Sequence, residues 1–504
     1  MTSGFMASSL PATSGRRQWA AGLAAALLAL ACAGRPAGEP VRPLPVPATA
    51  PASAAPLSAA DAAFLDEVQE RTFRFFWDLA DPGTGLIPDR WPTKSFASVA
   101  ATGFGLTAYP IGVERGWVTR EQARERVLRT LRFLWNAPQG DGATGVTGYR
   151  GFFYHFLHLD SGLRFERVEL STIDTTLLLA GVLFCGEYFD ADAPEEREIR
   201  DLAERLFARV EWTWAQPKPP AVSHGWHPEQ GPNEGWIESD WRGYNEAMLL
   251  YLLALGSPTH PIDPAGWEEW TSRYRFATWY GKRHLIFPPL FGHQYSHVWV
   301  DFRGILDEPM RRAGFDYFEN SRRATLAQRA WAIDNPRLWA GLGPDVWGIT
   351  ACDGPLDVEL EVRGEKRRFW TYAGRGVGPG FPVDDGTVAP TAAGGSVPFA
   401  PEFAIRALRA MRERYGAHLW SEYGFLDAFN PTFQFDVRVQ HGKVVPGVGW
   451  FDGDYLGIDQ GPILIMIENH RSDLVWRLMR RNPHLRRGLE RAGFSGGWLE
   501  RPAE

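Results

Sequence analysis

Three cysteines in 504 residues are too few for a disulfide framework, and none has a Cys or His neighbour at zinc-site spacing. Basic runs are missing as well. Lys and Arg number 53 against 60 Asp and Glu, the net charge is −7, and basic residues cluster only as short pairs such as Arg322–Arg323 and the triplet Lys366-Arg367-Arg368, which excludes a nucleic-acid footprint. No His-Glu-x-x-His, Gly-x-Ser-x-Gly or Walker pattern occurs, so the zinc-protease, serine-hydrolase and P-loop classes fall away. The twelve-residue EF-hand pattern is also lacking, although Asp452-Gly-Asp454 is a pair that suits calcium. The one long apolar stretch, Trp19–Ala31, falls short of the roughly 20 residues a membrane span requires.

What is present begins with that stretch. Arg16-Arg17 precedes it and Cys32 ends it, which together read as a signal peptide over residues 1–32 with a lipobox-like Cys32 as the one route to a membrane. Residues 33–58 are Ala- and Pro-rich, the composition of an extended tether. The expected organisation is an exported protein, periplasmic or at the cell surface, with a globular domain over 59–490. Cys185 lies in an apolar run and is expected as a buried thiol, and a Cys185–Cys352 disulfide is the alternative in an oxidising compartment.

Within the globular part, two kinds of helical stretch alternate. Arg120–Trp135 and Ala193–Val210 are amphipathic, with one wet face. Ser98–Ala108, Asp174–Gly181, Glu246–Leu255 and Gly461–Glu468 are apolar nearly all round and must be buried. Repeated hairpins of one buried and one amphipathic helix predict an all-α fold, an (α/α)6 toroid with inner and outer rings. Glu308–Ile333 and Pro401–Tyr415 extend the helix count, and Val358–Val362 is expected to pair with Arg368–Tyr372 as minor β decoration. The segments 139–168, 217–243, 281–304 and 430–458 read as long polar, aromatic loops of the functional kind. The 22 tryptophans suit both a large core and the apolar faces of sugar rings, with core packing expected to account for most.

Several buried helices start on an acid: Glu169 and Asp174 in one, Glu246 in another, Asp459 in a third. A single such acid is as well explained by capping and the helix dipole. Three acidic starts flanked by aromatic loops predict a shared site, because glycoside hydrolysis needs one carboxyl to protonate the leaving oxygen and another to activate water or attack the sugar. Glu238 and Asp240 are substitutes for Glu246 on this reading. The histidines in His224-Gly-Trp-His227 and His293-Gln-Tyr-Ser-His297 are interleaved with aromatics, a pattern that fits a sugar subsite better than a metal, and no metal or cofactor is expected.

Two long segments carry a resemblance. Tyr244–His260 and Asp454–Arg471 resemble signatures of the bacterial glucoamylase-like proteins, a group that includes the β-1,2-glucanases of glycoside hydrolase family 144 and a domain of cyclic β-1,2-glucan synthases. Glu169–Thr175 and Gly424–Asn430 fit as well, and the likeness spans roughly residues 60 to 485. It implies an (α/α)6 toroid and hydrolysis of β-1,2-glucan with inversion, without requiring starch as substrate. Its acidic pocket maps onto Glu169, Asp174, Glu246 and Asp459, with Glu246 as acid and Asp174 or Asp459 positioning the water. His155, Trp241, Tyr295, His297 and Arg303 are the expected sugar-binding residues. A non-catalytic glycan-binding lipoprotein and a polysaccharide lyase are the competing readings.

Overall fold

The computed structural model describes residues 57–231, 234–381 and 383–500. The expected signal peptide, Cys32 and nearly all of the tether lie outside them. Among the described residues, fifteen α-helices follow in chain order: α1 (Ala59–Leu79), α2 (Val99–Glu114), α3 (Arg120–Asn136), α4 (Thr172–Tyr188), α5 (Pro194–Ala208), α6 (Met248–Gly256), α7 (Ala265–Ser272), α8 (Tyr295–Trp299), α9 (Glu308–Ala313), α10 (Tyr317–Asp334), α11 (Pro390–Gly394), α12 (Pro401–Leu419), α13 (Gly457–Ser472), α14 (Leu474–Met479) and α15 (Pro483–Arg491). The strands are two to five residues long, so the fold is all-α with small β additions. Among the described residues, no helix is long and apolar enough to cross a membrane.

The expected alternation is present. Almost every residue of α2, α4, α6 and α13 is buried, whereas α3 buries only one side, through Ala123, Val127, Leu128, Leu131 and Leu134. Small residues let the buried helices touch at the backbone. Where α2 crosses α4, a Cβ on Gly103 would lie 2.3 Å from the Leu177 carbonyl oxygen, and one on Gly181 would lie 2.1 Å from that of Gly103. Gly256 of α6 and Gly488 of α15 meet in the same way. Glycine is needed at these sites because any side chain would wedge the helices apart. Trp212, Trp226, Trp270, Trp299, Trp339, Trp347, Trp450 and Trp476 are fully buried, so core packing accounts for much of the tryptophan content.

Helix starts are specified locally. Ser98 and Ser171 cap α2 and α4 through their hydroxyls, Thr119 and Gln122 form a reciprocal capping box on α3, and Asp316 caps α10. The stretch predicted as one helix over Glu308–Ile333 is two. It breaks at Gly314, whose φ of 81° ends α9, and restarts at the Asp316 cap. The predicted hairpin pairs Val358–Val362 with Glu365–Phe369 rather than Arg368–Tyr372, in the register Val358↔Phe369, because Arg363 and Gly364 at positive φ make the turn tight. Cys185 and Cys352 are both buried and free, so no disulfide links them.

The buried helices begin at one common end, held there by short strands and hydrogen bonds. Ala97–Ser98 pairs with Phe156–Leu157 just before α2, Leu170–Ser171 pairs with Phe152–Tyr154 and Gly225–Trp226 just before α4, and Tyr455–Leu456 pairs with Arg90–Trp91 just before α13. Ser296 Oγ donates to the Glu246 carbonyl and accepts from Leu249 N–H, joining the starts of α6 and α8. Thr391 Oγ1 donates to the Asp459 carbonyl, joining α11 to α13, and Tyr295 Oη donates to the Ile458 carbonyl, joining α8 to α13.

Candidate active site

This gathered end carries the predicted acids. His155 N–H donates to the Glu169 carbonyl, and Val99 N–H donates to the His155 carbonyl, which ties the α2 and α4 entries together. The imidazole then bridges two carboxylates: Nδ1 lies 2.7 Å from Glu169 Oε1 and Nε2 lies 3.5 Å from Asp174 Oδ1. Burial opposes a charge on His155, but Asp174 and Glu169 outweigh it and hold the imidazole at about 9, protonated at neutral pH. Glu169 is likewise pushed up by burial and pulled further down by His155, to about 2. Asp174 is buried in the first turn of α4; its carboxylate accepts from Ser171 Oγ while its N–H donates to that same capping hydroxyl, and it is held above the ordinary carboxylate range chiefly by burial.

Glu246 has no charged partner of this kind. It is buried just ahead of α6, and burial raises it to about 7, with the Asp174 charge adding to the rise and a backbone hydrogen bond opposing it. A carboxyl that exchanges its proton near neutral pH is suited to general acid catalysis.

The third predicted start brings more acids than expected. Gly457 N–H donates to the Asp89 carbonyl, placing Asp89 and Arg90 beside α13. Asn430↔Trp450 and Phe429↔Phe451 pairing sets Asp427 against Asp452, and Asp427 N–H donates to the Asp454 carbonyl. Asp353 joins through its own N–H, 2.8 Å from Asp427 Oδ2. Asp459 is raised well above the carboxylate range by burial and by the facing Asp427, and Asp427 is raised by burial and by Asp353. Tyr295, hydrogen-bonded to the Ile458 carbonyl next to Asp459, has its phenol pushed up first by burial and then by the charges of Asp459, Glu246 and Asp427. One carboxylate oxygen from each of Asp353, Asp427 and Asp452 lies within 4.8 Å of the others, a spacing a metal ion can span. The region is not sealed: the Glu169 side chain keeps 25% of its exposure and His155 keeps 14%.

Most of the predicted residues therefore meet. Glu169, Asp174, His155, Glu246, Asp459 and Tyr295 share this end, and Trp241 backs it, its Nε1 donating to Thr172 Oγ1 at 3.0 Å and its ring lying against His224. His297 and Arg303 stand apart. His297 is on α8, buried among Phe302, Phe318 and Phe399, with Nε2 3.1 Å from Ser321 Oγ. Arg303 lies over Trp476 and pairs with Asp301 and with Asp473, the residue that ends α13. Asp473 is fourteen residues beyond Asp459, about 21 Å along the helix. Of the substitutes, Asp240 pairs with Arg242 at 3.3 Å and Glu238 is exposed. Asp89, Arg90, Asp353 and Asp427 were not expected at the site, and Asp452 was expected only as half of a pair suited to calcium. The usable signal was thin: Asp427 sits in the Gly424–Asn430 motif, and Asp452 in the Asp-Gly-Asp run.

Known proteins share this arrangement of helices. The Glycoamylase family model matches residues 238–483. A glucoamylase-like protein of known structure from Bacteroides uniformis is 32% identical, with a TM-score of 0.75, covering 88% of this chain and 100% of that one. The chain belongs to the glucoamylase-like family. An endo-β-1,2-glucanase from Chitinophaga pinensis, solved with sophorotriose and glucose, is 28% identical with a TM-score of 0.74, covering 88% of this chain and all of that one. An exo-β-1,2-glucooligosaccharide sophorohydrolase (non-reducing end) from Parabacteroides distasonis is 30% identical over 463 residues, 86% of this chain. The match spans 58% of that relative's length.

Proposed function

We propose that this family member is a glycoside hydrolase that cleaves β-1,2-linked glucan with inversion, on an (α/α)6 toroid occupying about residues 59–490. The toroid reading is supported by the order of the helices: α2, α4, α6, α8, α11 and α13 are buried, each follows a more exposed helix, and their starts are joined at one end. Hydrolysis is carried by one observation above the rest. Glu246, a buried carboxyl held near neutrality, stands in one cluster with Asp174 and Asp459. The β-1,2 linkage is supported by the printed activities of the relatives.

In this mechanism Glu246 gives its proton to the glycosidic oxygen as the C–O bond breaks. Asp459 or Asp174 takes a proton from a water that attacks the anomeric carbon on the opposite face. Protonated His155 holds Glu169 and Asp174 in place, and with Trp241 and Tyr295 it contacts sugar hydroxyls or ring faces. His297 and Arg303 take no part in this scheme, because their side chains are committed elsewhere. The leader and tether over residues 1–58 would deliver the enzyme to the periplasm or cell surface, with Cys32 as lipid attachment point.

The test is incubation of the full chain with linear β-1,2-glucan, and with β-1,3-, β-1,4- and α-1,4-glucans as controls, following products by chromatography and the first anomer by proton NMR. Release of oligosaccharides from β-1,2-glucan alone, with the new end first in the α form, is the expected outcome. Binding without turnover would favour the glycan-binding lipoprotein, and an unsaturated product would favour the lyase.

A further inference from the structure

We infer that Asp353, Asp427 and Asp452 form a binding site for one hard divalent cation, calcium in first place. Each of the three is essentially buried. Each commits one carboxylate oxygen to a hydrogen bond and leaves the other bare. Asp353 Oδ2 accepts from Arg90 Nη1 at 2.7 Å, Asp427 Oδ2 accepts from Asp353 N–H at 2.8 Å, and Asp452 Oδ1 accepts from Gly453 N–H at 2.7 Å. The remaining oxygens, Asp353 Oδ1, Asp427 Oδ1 and Asp452 Oδ2, are buried with no N–H or O–H donor beside them, and the Asp427 and Asp459 carboxyls hydrogen-bond to each other, which a proton shared between them allows. The committed oxygens lock the carboxylates in orientation, while the bare ones need a positive partner.

Charge balance points the same way. Asp89, Asp353, Asp427, Asp452, Asp454 and Asp459 are all buried around Arg90, whose guanidinium contacts Asp89, Asp353 and Asp454, and His441 lies 3.7 Å from Asp353. Buried carboxylates in such excess are costly unless a cation or shared protons neutralise them. Three oxygens within 4.8 Å of one another match a single ion with bonds of about 2.4 Å, the calcium range. An all-carboxylate donor set selects hard cations over zinc or copper.

Such an ion would stitch together three stretches distant in sequence: the strand Ala351–Cys352, the Phe429–Asn430 strand and the Gly449–Phe451 strand. It would also fix Asp427 beside Asp459. The inference does not depend on which glucan the enzyme cleaves.

The test uses the full chain stripped with a chelator and dialysed into metal-free buffer. Calcium is then titrated by calorimetry, and bound metal is counted after gel filtration. One calcium per chain is expected, with Tm rising by about 3 °C at a hundredfold excess over Kd. Asp452→Asn should weaken calcium binding at least tenfold. Failure of calcium, magnesium and manganese each to bind stoichiometrically to the wild-type chain would overturn the site in favour of shared protons, as would unchanged affinity in a folded Asp452→Asn. If that variant does not fold, the wild-type stoichiometry decides alone. Absence of glucan hydrolysis with calcium bound would leave this site standing and remove the enzymatic reading.

Discussion

The two ends of α13 are equally rich in charge and opposite in character. At its C-terminal end Asp301 accepts from Arg303 N–H, from Arg303 Nε and Nη2, and from Arg480, while Asp473 takes one contact from each arginine. Both carboxylates there are satisfied. At the N-terminal end, oxygens of Asp353, Asp427, Asp452 and Asp459 have no N–H or hydroxyl donor, and Asp427 and Asp459 turn to each other. The network at the far end closes on itself and holds helices together. The near end is left with unmet demand, which a substrate, a proton or a cation must fill. Pairing, rather than the number of charges, separates structural clusters from functional ones.

Exchanging a carboxylate for an amide at each end sharpens the contrast. Asp459→Asn is expected to lower kcat/KM on β-1,2-glucan about a hundredfold or more while leaving the unfolding midpoint in urea nearly unchanged. Asp301→Asn should do the reverse: about 3 kcal/mol lost in urea unfolding, because two arginines lose a buried charged partner, with activity per folded molecule retained. Equal activity losses in both would break the comparison. Between the two ends, Gly181→Ala is expected to cost about 2 kcal/mol, since the new methyl would meet the Gly103 carbonyl oxygen at 2.1 Å and force α2 from α4.

The smallest effect is a pH dependence. His155 stands at about 9 in the folded chain against an ordinary 6.5, so its stabilisation is complete below about pH 6.5 and is lost as pH rises through about 9. Thermal unfolding of the wild type should weaken across that window, and His155→Gln should flatten the decline. An unchanged slope in the variant would remove the Glu169–His155–Asp174 bridge from the account.

Much of this was legible in the sequence, for physical reasons that also mark where it stopped. Helices α2, α4, α6 and α13 are apolar over two or more turns, so their burial is written in composition. Glu169, Asp174, Glu246 and Asp459 stand at or just before those helices, so their convergence follows once the helices are inner ones. The five-residue helices α8 and α11 are too short to show a period, and α8 lay inside the segment 281–304 expected to be loop. Misreading α8 as loop made His297 look like a sugar ligand, when its helix faces the aromatic core. Asp353 and Asp427 reach the site through pairings between segments distant in sequence, a relation no local pattern encodes. Arg303 follows α8 at its far end, and only the three-dimensional course of α13 reveals how distant Asp473 lies from Asp459.

The most direct test of the account is the rate of Glu246→Gln on linear β-1,2-glucan, measured beside the wild type between pH 5 and pH 9. A folded variant slowed about a thousandfold is expected. In the wild type, kcat/KM should fall as pH rises past about 7, where Glu246 gives up its proton. A folded Glu246→Gln variant with wild-type activity, or a wild-type rate that keeps rising above pH 7, would contradict it.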